Sequence, residues 1–443
     1  MARRVVISGL GPVSGLGLGI RPTWRAMCEG RSAVETIQAF DACDFACRIA
    51  AEVKDFRVNQ FVPKWYRKAT KVMAREIELA VGAADFAARD AALVTKGTAE
   101  DGQSPSYASD RMGAQIGAGL IAADLQELTS ALAEARDSNG SFDIHRWGRE
   151  GINHLTPLWL LKYLPNMLAC HVSIIHDTQG PSNTITCGEA SGNLSLGESL
   201  RVIQRGAADL CFCGGTDTKT NPMGFLRQLM TGRLNTCDND QPARAVRPFC
   251  QTAAGTVVGE GGAIMVIEAL ESFSDRTVGN SARAYCEVVG FGASQSVNPE
   301  ARNVLPDSEG CAISAAIGAA LSEAQIEPGQ IDMIVSFGLG LAGSDQPEAN
   351  ALRRVFEGRL SHVPIVSTKS MVGNCAAGAG ALDIAVAAKA ILEQTMPAVI
   401  NCDSPLEGLY ASTRPCQKAE IVHALTYSCG MGGQNAAMVL RRC

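Results

Sequence analysis

An α/β fold built from two similar units is what this sequence predicts, on three observations. Strand-like runs alternate with helical runs in both halves of the 443-residue chain, the order expected of sheets covered by helices. Glycine is frequent, at 45 residues, and runs such as Cys375-Ala376-Ala377-Gly378-Ala379-Gly380 let helices approach sheets closely. The length corresponds to two or three structural units at about 150 residues each.

In chain order, residues 3–8 read as a first strand. The glycine-rich stretch Gly9-Leu10-Gly11-Pro12-Val13-Ser14-Gly15 follows and reads as a strand-to-helix turn. It is not a dinucleotide loop, because the third glycine falls one residue late and Pro12 sits where the phosphate loop would run. Residues 64–89 read as a helix with Met73, Ile77, Ala80 and Ala84 on one face. Residues 97–110 form a polar loop, 111–119 a second strand and 122–137 a helix. A short strand ends at 185–187, 191–205 is helical, and 208–214 and 257–268 are buried strands. The polar stretch 271–281 is the expected boundary, giving an N-terminal half at 1–270 and a C-terminal half at 281–443. There, 284–292, 331–336, 363–367, 419–428 and 436–441 read as strands, with helices at 311–324, 348–356 and 380–393. The duplication rests on element order, since no repeat stands out residue by residue.

Composition excludes several functions. Hydrophobic residues make up 46% and charged residues 19%, an ordinary globular balance. A net charge of −6 without like-charge blocks argues against a nucleic-acid surface. The basic stretch 64–71 reads as a solvated face or as a docking patch for an acidic carrier protein. The 16 cysteines include no CxxC pair, so neither a metal centre nor a disulfide scaffold is expected. Cys211 and Cys213 read as buried small hydrophobes, and this many free thiols fit a reducing cytoplasm. The start of the chain carries no secretory h-region, and no apolar run reaches a membrane-spanning length. No cofactor is expected.

Six separated motifs carry the functional reading. Gly180-Pro181 precedes a strand and then Thr186-Cys187-Gly188-Glu189-Ala190-Ser191-Gly192. Arg247-Pro248-Phe249 and Gly259-Glu260-Gly261 follow, then Phe337-Gly338-Leu339-Gly340-Leu341 with Asp345 and Glu348. Ser367-Thr368-Lys369-Ser370-Met371-Val372-Gly373-Asn374 and Gly430-Met431-Gly432-Gly433-Gln434-Asn435 complete the set. In this order and spacing they resemble the β-ketoacyl synthase (ketosynthase) family of the thiolase superfamily, over essentially the whole chain. The resemblance implies a thiolase-like fold, with two duplicated halves in five αβαβα layers, and a dimer.

Matched to the family's motifs, the nucleophilic cysteine position holds Glu189, and the two histidine positions hold Phe337 and Asn374. Lys369 is retained. Met431 replaces the gating Phe of the loop formed by Cys429, Gly430, Met431, Gly432 and Gly433, and Cys429 replaces the Phe before it. Cys187 falls two residues short of the nucleophile position, before the helix N-terminus that would activate a thiol. His154, His171 and His176 match no catalytic position and read as structural.

A carboxylate cannot replace the thiol, being a poor nucleophile whose acyl product would be a high-energy anhydride. Losing one oxyanion donor typically costs about 10²–10³ in rate, and Phe337 offers none, whereas Asn374 could still donate one bond. Glu189 is expected either to pair with Lys369 within about 6 Å or to bond only to backbone amides at the helix N-terminus.

The resemblance therefore implies a non-condensing, chain-length-factor-like subunit, although the best-known chain-length factors carry Gln at this position. Its partners would be an active ketosynthase, as a heterodimer, and an acyl carrier protein. The alternatives are a malonyl- or acyl-thioester decarboxylase using Glu189, and a stand-alone homodimeric scaffold.

Overall fold

In a computed structural model, which describes residues 3–278, 282–302 and 304–443, the first strand β1 (Val5–Ser14) is buried along its whole length. It thus continues through the stretch expected to turn. The reason is steric: a Cβ on Gly9 would lie 2.2 Å from the Ala87 carbonyl oxygen, and one on Gly11 only 1.9 Å from that of Ala83. The glycines let helix α1 (Arg75–Asp90) lie directly on the strand.

Along the main sheet, the N-terminal half also supplies β2 (Met112–Gly117), β3 (Ser182–Ile185), β4 (Leu210–Asp217) and β5 (Gly261–Ala269). The C-terminal half supplies β6 (Cys286–Gln295), β7 (Met333–Val335), β8 (Ile365–Val366), β9 (His423–Cys429) and β10 (Gln434–Arg441) to the same sheet. Spatial order is β1-β5-β4-β2-β3 in one half and β6-β10-β9-β7-β8 in the other. Each run has two antiparallel contacts followed by two parallel ones. The two first strands, β1 and β6, join the runs through Val6↔Glu287 and Ile7↔Cys286. The halves are therefore topological copies, as element order implied.

A residue-level echo of the duplication also emerges. The Gly-Phe-Gly of β6 repeats the Gly-Leu-Gly of β1. Cβ atoms on Gly290 and Gly292 would each lie 2.1 Å from carbonyls of helix α5 (Cys311–Ala324).

Helices α1 and α2 (Met167–His176) cover one face of the N-terminal run, where Ile77, Leu168 and Val172 meet Ile116, Phe212 and Val266. Helices α3 (Ser191–Gln204) and α7 (Ala379–Glu393) form the middle layer, with Leu196 and Ile384 packed against strands of both halves. Cys211 and Cys213 point into this layer, fully buried as expected. Helices α5 and α6 (Ala342–Phe356) cover the far face through Ile317 and Leu352. The result is five αβαβα layers. A further helix, α4 (Pro222–Met230), follows β4 near the middle layer.

Two local expectations are corrected. Residues 64–89 are a 3₁₀ segment, Lys64–Val72, and then α1, separated where Met73 turns extended. The helix expected at 122–137 is the shorter Leu125–Glu134. The expected boundary stretch begins with a helix, Leu270–Thr277, anchored by buried Phe273 and by Arg276 paired to Glu268. The end of that stretch, 279–281, lies outside the described residues.

The glycine contacts give a direct test. Gly11→Ala should destabilise the protein by about 1–3 kcal/mol in urea denaturation, because α1 has to shift to admit a methyl group. Gly318→Ala, in α5 with open space around its Cα, should stabilise by about 0.4–1 kcal/mol.

Candidate functional site

Strand β3 ends at Ile185, and the chain bends at Gly188, whose φ of 55° is a left-handed value. A 3₁₀ turn, Gly188–Ala190, leads into α3. Ser191 Oγ holds the bend by accepting from the Cys187 N–H at 2.8 Å and donating to the Gly188 carbonyl at 2.7 Å. The side chain that emerges at this bend is Glu189, only 4% exposed.

Three donors converge on the Glu189 carboxylate. Arg233 Nη2 donates to Oε1 at 2.5 Å, Asn374 Nδ2 donates to the same oxygen at 3.1 Å, and the Met431 N–H donates to Oε2 at 2.8 Å. Burial alone would push this carboxyl up, but the Arg233 charge and the Met431 N–H outweigh it and hold its pKa at about 2. Arg233 is itself buried, and its Nε and Nη1 have no hydrogen-bond partner among the described residues.

The expected Glu189–Lys369 pair does not form. Lys369 Nζ instead donates to Asp383 Oδ2 of α7 at 2.7 Å, and Thr368 Oγ1 donates to Oδ1 of the same residue at 2.6 Å. The ammonium also lies 4.9 Å from the ring centroid of Phe337, within cation–π range. Two separate buried ion pairs thus replace the single one expected. The backbone-only alternative is corrected as well, since two side chains join the Met431 amide. Sequence reading missed Arg233: it stands 44 residues from Glu189, outside every motif, and its charge pattern is not distinctive.

Phe337, at the end of β7, is buried among Phe249, Leu339 and Tyr427. The loop after it turns through Gly338 and Gly340, at φ 48° and 76°. Asp345 fixes that loop by accepting from the N–H groups of Leu339 and Phe249 at 2.9 and 2.8 Å. Glu348 Oε2 accepts from the Gly338 N–H at 3.0 Å and from the Tyr427 hydroxyl at 3.1 Å, and Oε1 has no partner among the described residues. Burial, and then the neighbouring Asp345, push the Glu348 carboxyl up to about 8.

Cys429 closes β9 and is buried. Gly430, Met431, Gly432 and Gly433 form the turn to β10, with Gly432 and Gly433 at φ 106° and 88°. Met431 is 39% exposed, so its amide reaches the site while its side chain meets solvent. Cys187 is half-buried, and burial pushes its thiol up, the opposite of activation. His171 meets the Tyr66 hydroxyl at 2.7 Å, and His176 meets Thr95 Oγ1 at 2.8 Å. Burial lowers these imidazoles to about 4 and about 3, so both are neutral structural groups. A cavity of about 470 Å³ opens in front of Glu189, with Leu120, Pro165, Lys219, Gln228 and Met431 among its lining.

Two family models match the chain: the β-ketoacyl synthase N-terminal domain over residues 2–272 and the C-terminal domain over 285–403. The chain belongs to the β-ketoacyl synthase family. A 3-oxoacyl-[acyl-carrier-protein] synthase 2 from Coxiella burnetii is 31% identical, over 99% of each chain. A β-ketoacyl synthase crystal structure from Burkholderia phymatum superposes with a TM-score of 0.83 at 26% identity, over the full length of both chains. The ishigamide ketosynthase/chain length factor superposes with a TM-score of 0.81, also at 26% identity and full coverage. The five layers are thus the thiolase-like ketosynthase fold.

Two predictions concern the buried acids. Glu189→Gln leaves Arg233 buried without a counter-charge and should cost about 3–5 kcal/mol at pH 7. The double variant Glu189→Gln/Arg233→Met should recover most of that loss in the same urea titration. Glu348 acts with the opposite sign. Its folded pKa of about 8 stands above the ordinary 4.5, so its contribution is full below pH 4.5 and is lost as pH rises toward 8. Glu348→Gln should therefore match the parent near pH 5 and exceed its stability at pH 8, as read by melting temperature.

Proposed function

We propose that this chain is a non-condensing ketosynthase-like subunit, resembling a chain-length factor, that pairs with an active β-ketoacyl synthase homologue. One observation carries the reading: a carboxylate, held as an anion by Arg233, Asn374 and the Met431 amide, stands where the motif register places the nucleophile. Condensation needs a thiol that accepts and releases an acyl group by near-isoenergetic thioester exchange. Glu189 cannot do this, and Cys187 is neither at the bend nor activated.

The donors a malonyl enolate would require are also spent or missing. Phe337 has none, and Asn374 Nδ2 already serves Glu189. The Met431 N–H faces a resident negative charge rather than a developing one. The same geometry weighs against the decarboxylase reading. A carboxyl with a pKa of about 2 is ionised throughout the working range and is a weak general base.

Two surface features support partners. Strand β3 ends the sheet with one edge unpaired among the described residues, and α2 beside it exposes Ile174, a combination that invites a second subunit. Lys64, Arg67, Lys68 and Lys71 are all exposed on one 3₁₀ segment, which supports docking of an acidic carrier protein.

The test is biochemical. Purified chain incubated with malonyl- and acyl-carrier protein should gain no acyl mass by intact mass spectrometry and should release carbon dioxide only at background. Co-expressed with intact Cys-His-His ketosynthases, it should co-purify with one as a heterodimer. An acyl adduct on this chain would overturn the non-condensing reading. A stable homodimer that ignores every such partner would favour a scaffold.

A further inference from the structure

All 16 cysteines are free thiols, and two that lie far apart in sequence meet where residues 249–251 run beside 404–406. Cys250 bridges antiparallel to Pro405. The Gln251 N–H donates to the Ser404 carbonyl and the Leu406 N–H to the Phe249 carbonyl, each at 2.8 Å. This pairing brings the Cys250 sulfur to Cys402, with which it shares a hydrogen bond. Cys402 is fixed in turn. Its N–H donates to Thr413 Oγ1 at 2.9 Å, and its carbonyl accepts from the Thr413 N–H at 2.8 Å.

The two sulfurs are not equivalent. Cys250 Sγ lies 3.3 Å from Thr252 Oγ1 and faces the backbone N–H groups of Thr252, Ser404 and Asp403, a concave set of donors of the kind that holds an anion. Burial works against a charge here, but the Thr252 hydroxyl and those N–H groups outweigh it and hold the thiol below its ordinary value. Burial, and then the neighbouring Cys250, push Cys402 up to about 12, so it keeps its proton. A nucleophilic sulfur thus touches a protonated one, the arrangement that resolves a sulfenic acid as a disulfide. Cys28 and Cys416 also share a hydrogen bond, but there burial and Cys416 push Cys28 up to about 12, which leaves Cys28 protonated. Cys250 is only 5% exposed, whereas Gln251, Thr252, Asp403 and Ser404 around it are exposed, so access suits a small oxidant.

We propose that Cys250 and Cys402 are a peroxide-responsive thiol pair. The Cys250 thiolate attacks one oxygen of hydrogen peroxide and breaks the O–O bond, leaving Cys250 as a sulfenic acid. The departing hydroxide takes the proton that Cys250 gave up and becomes water. The Cys402 sulfur then attacks the Cys250 sulfur, the S–O bond breaks, and the oxygen leaves as a second water with the Cys402 proton. In all, two thiols give up two electrons and two protons, and one peroxide is reduced to two waters. The new bond would anchor the residue beside Phe249, which packs in the Phe337 cluster and donates its N–H to Asp345.

The test is peptide mass mapping of the full reduced chain after stoichiometric hydrogen peroxide, with the remaining thiols blocked by N-ethylmaleimide. A Cys250–Cys402 cross-linked peptide should be the main oxidation product. Cys250 should be consumed at least about threefold faster than exposed Cys43, whose thiol Asp41 pushes up; threefold is the net gain from one unit of acidity once the fall in nucleophilicity is counted. In Cys402→Ser, Cys250 should stop at the sulfenic acid, which dimedone traps. Thr252→Val should slow Cys250 consumption by about threefold. Both substitutions keep side-chain size, so the reduced variants should melt with the parent. Cys250 still free after the exposed thiols are consumed, linkage of Cys250 only to another cysteine, no dimedone adduct in Cys402→Ser, or a rate unaffected by Thr252→Val would each overturn the assignment.

Discussion

A carboxylate buried at a tight bend constrains everything around it. Isolated in the interior, such a charge costs several kcal/mol, so the fold has to supply compensation from elsewhere in the chain. Arg233 provides the opposite charge, and Asn374 and the Met431 amide provide hydrogen bonds. These three come from the segment after α4, the loop before α7 and the turn between β9 and β10. One side chain therefore ties together parts of both halves, and its ionised state is a property of that convergence.

The second buried pair, Lys369 with Asp383, has a different logic. Lys369 sits between the acid of α7 and the face of Phe337. An aromatic ring at that position keeps an electrostatic partner for the lysine while removing a proton donor from the site. Asp345 and Glu348 then brace the loop after Phe337 through backbone N–H groups. The loop after Phe337 is thus braced by buried acids on one side of the site, as Glu189 is braced by Arg233 on the other.

Much of this was legible in the sequence, because strand and helix periodicities are local. Alternation in both halves correctly implied the duplicated layers, and motif register placed Glu189, Asn374 and Met431 around one point. Two things were not legible. The continuation of β1 through Gly9 and Gly11 was hidden because the same glycines that permit a turn also permit a helix to touch a strand. The partner of Glu189 was hidden because ion pairing is decided by tertiary geometry: Asp383 of α7 takes Lys369, and Arg233 approaches from a segment that no motif marks.

The glycine-to-carbonyl contacts at β1–α1 and β6–α5 have a mechanical consequence. With backbone against backbone, no layer of flexible side chains remains to act as a lubricant, so those outer helices cannot slide over their strands. Any motion that admits or releases a ligand has to come from elements outside those contacts, such as the turn at 430–433 and the segment around Leu120 that line the cavity. Behind them, the backbone-to-backbone contacts make each half a stiff chassis.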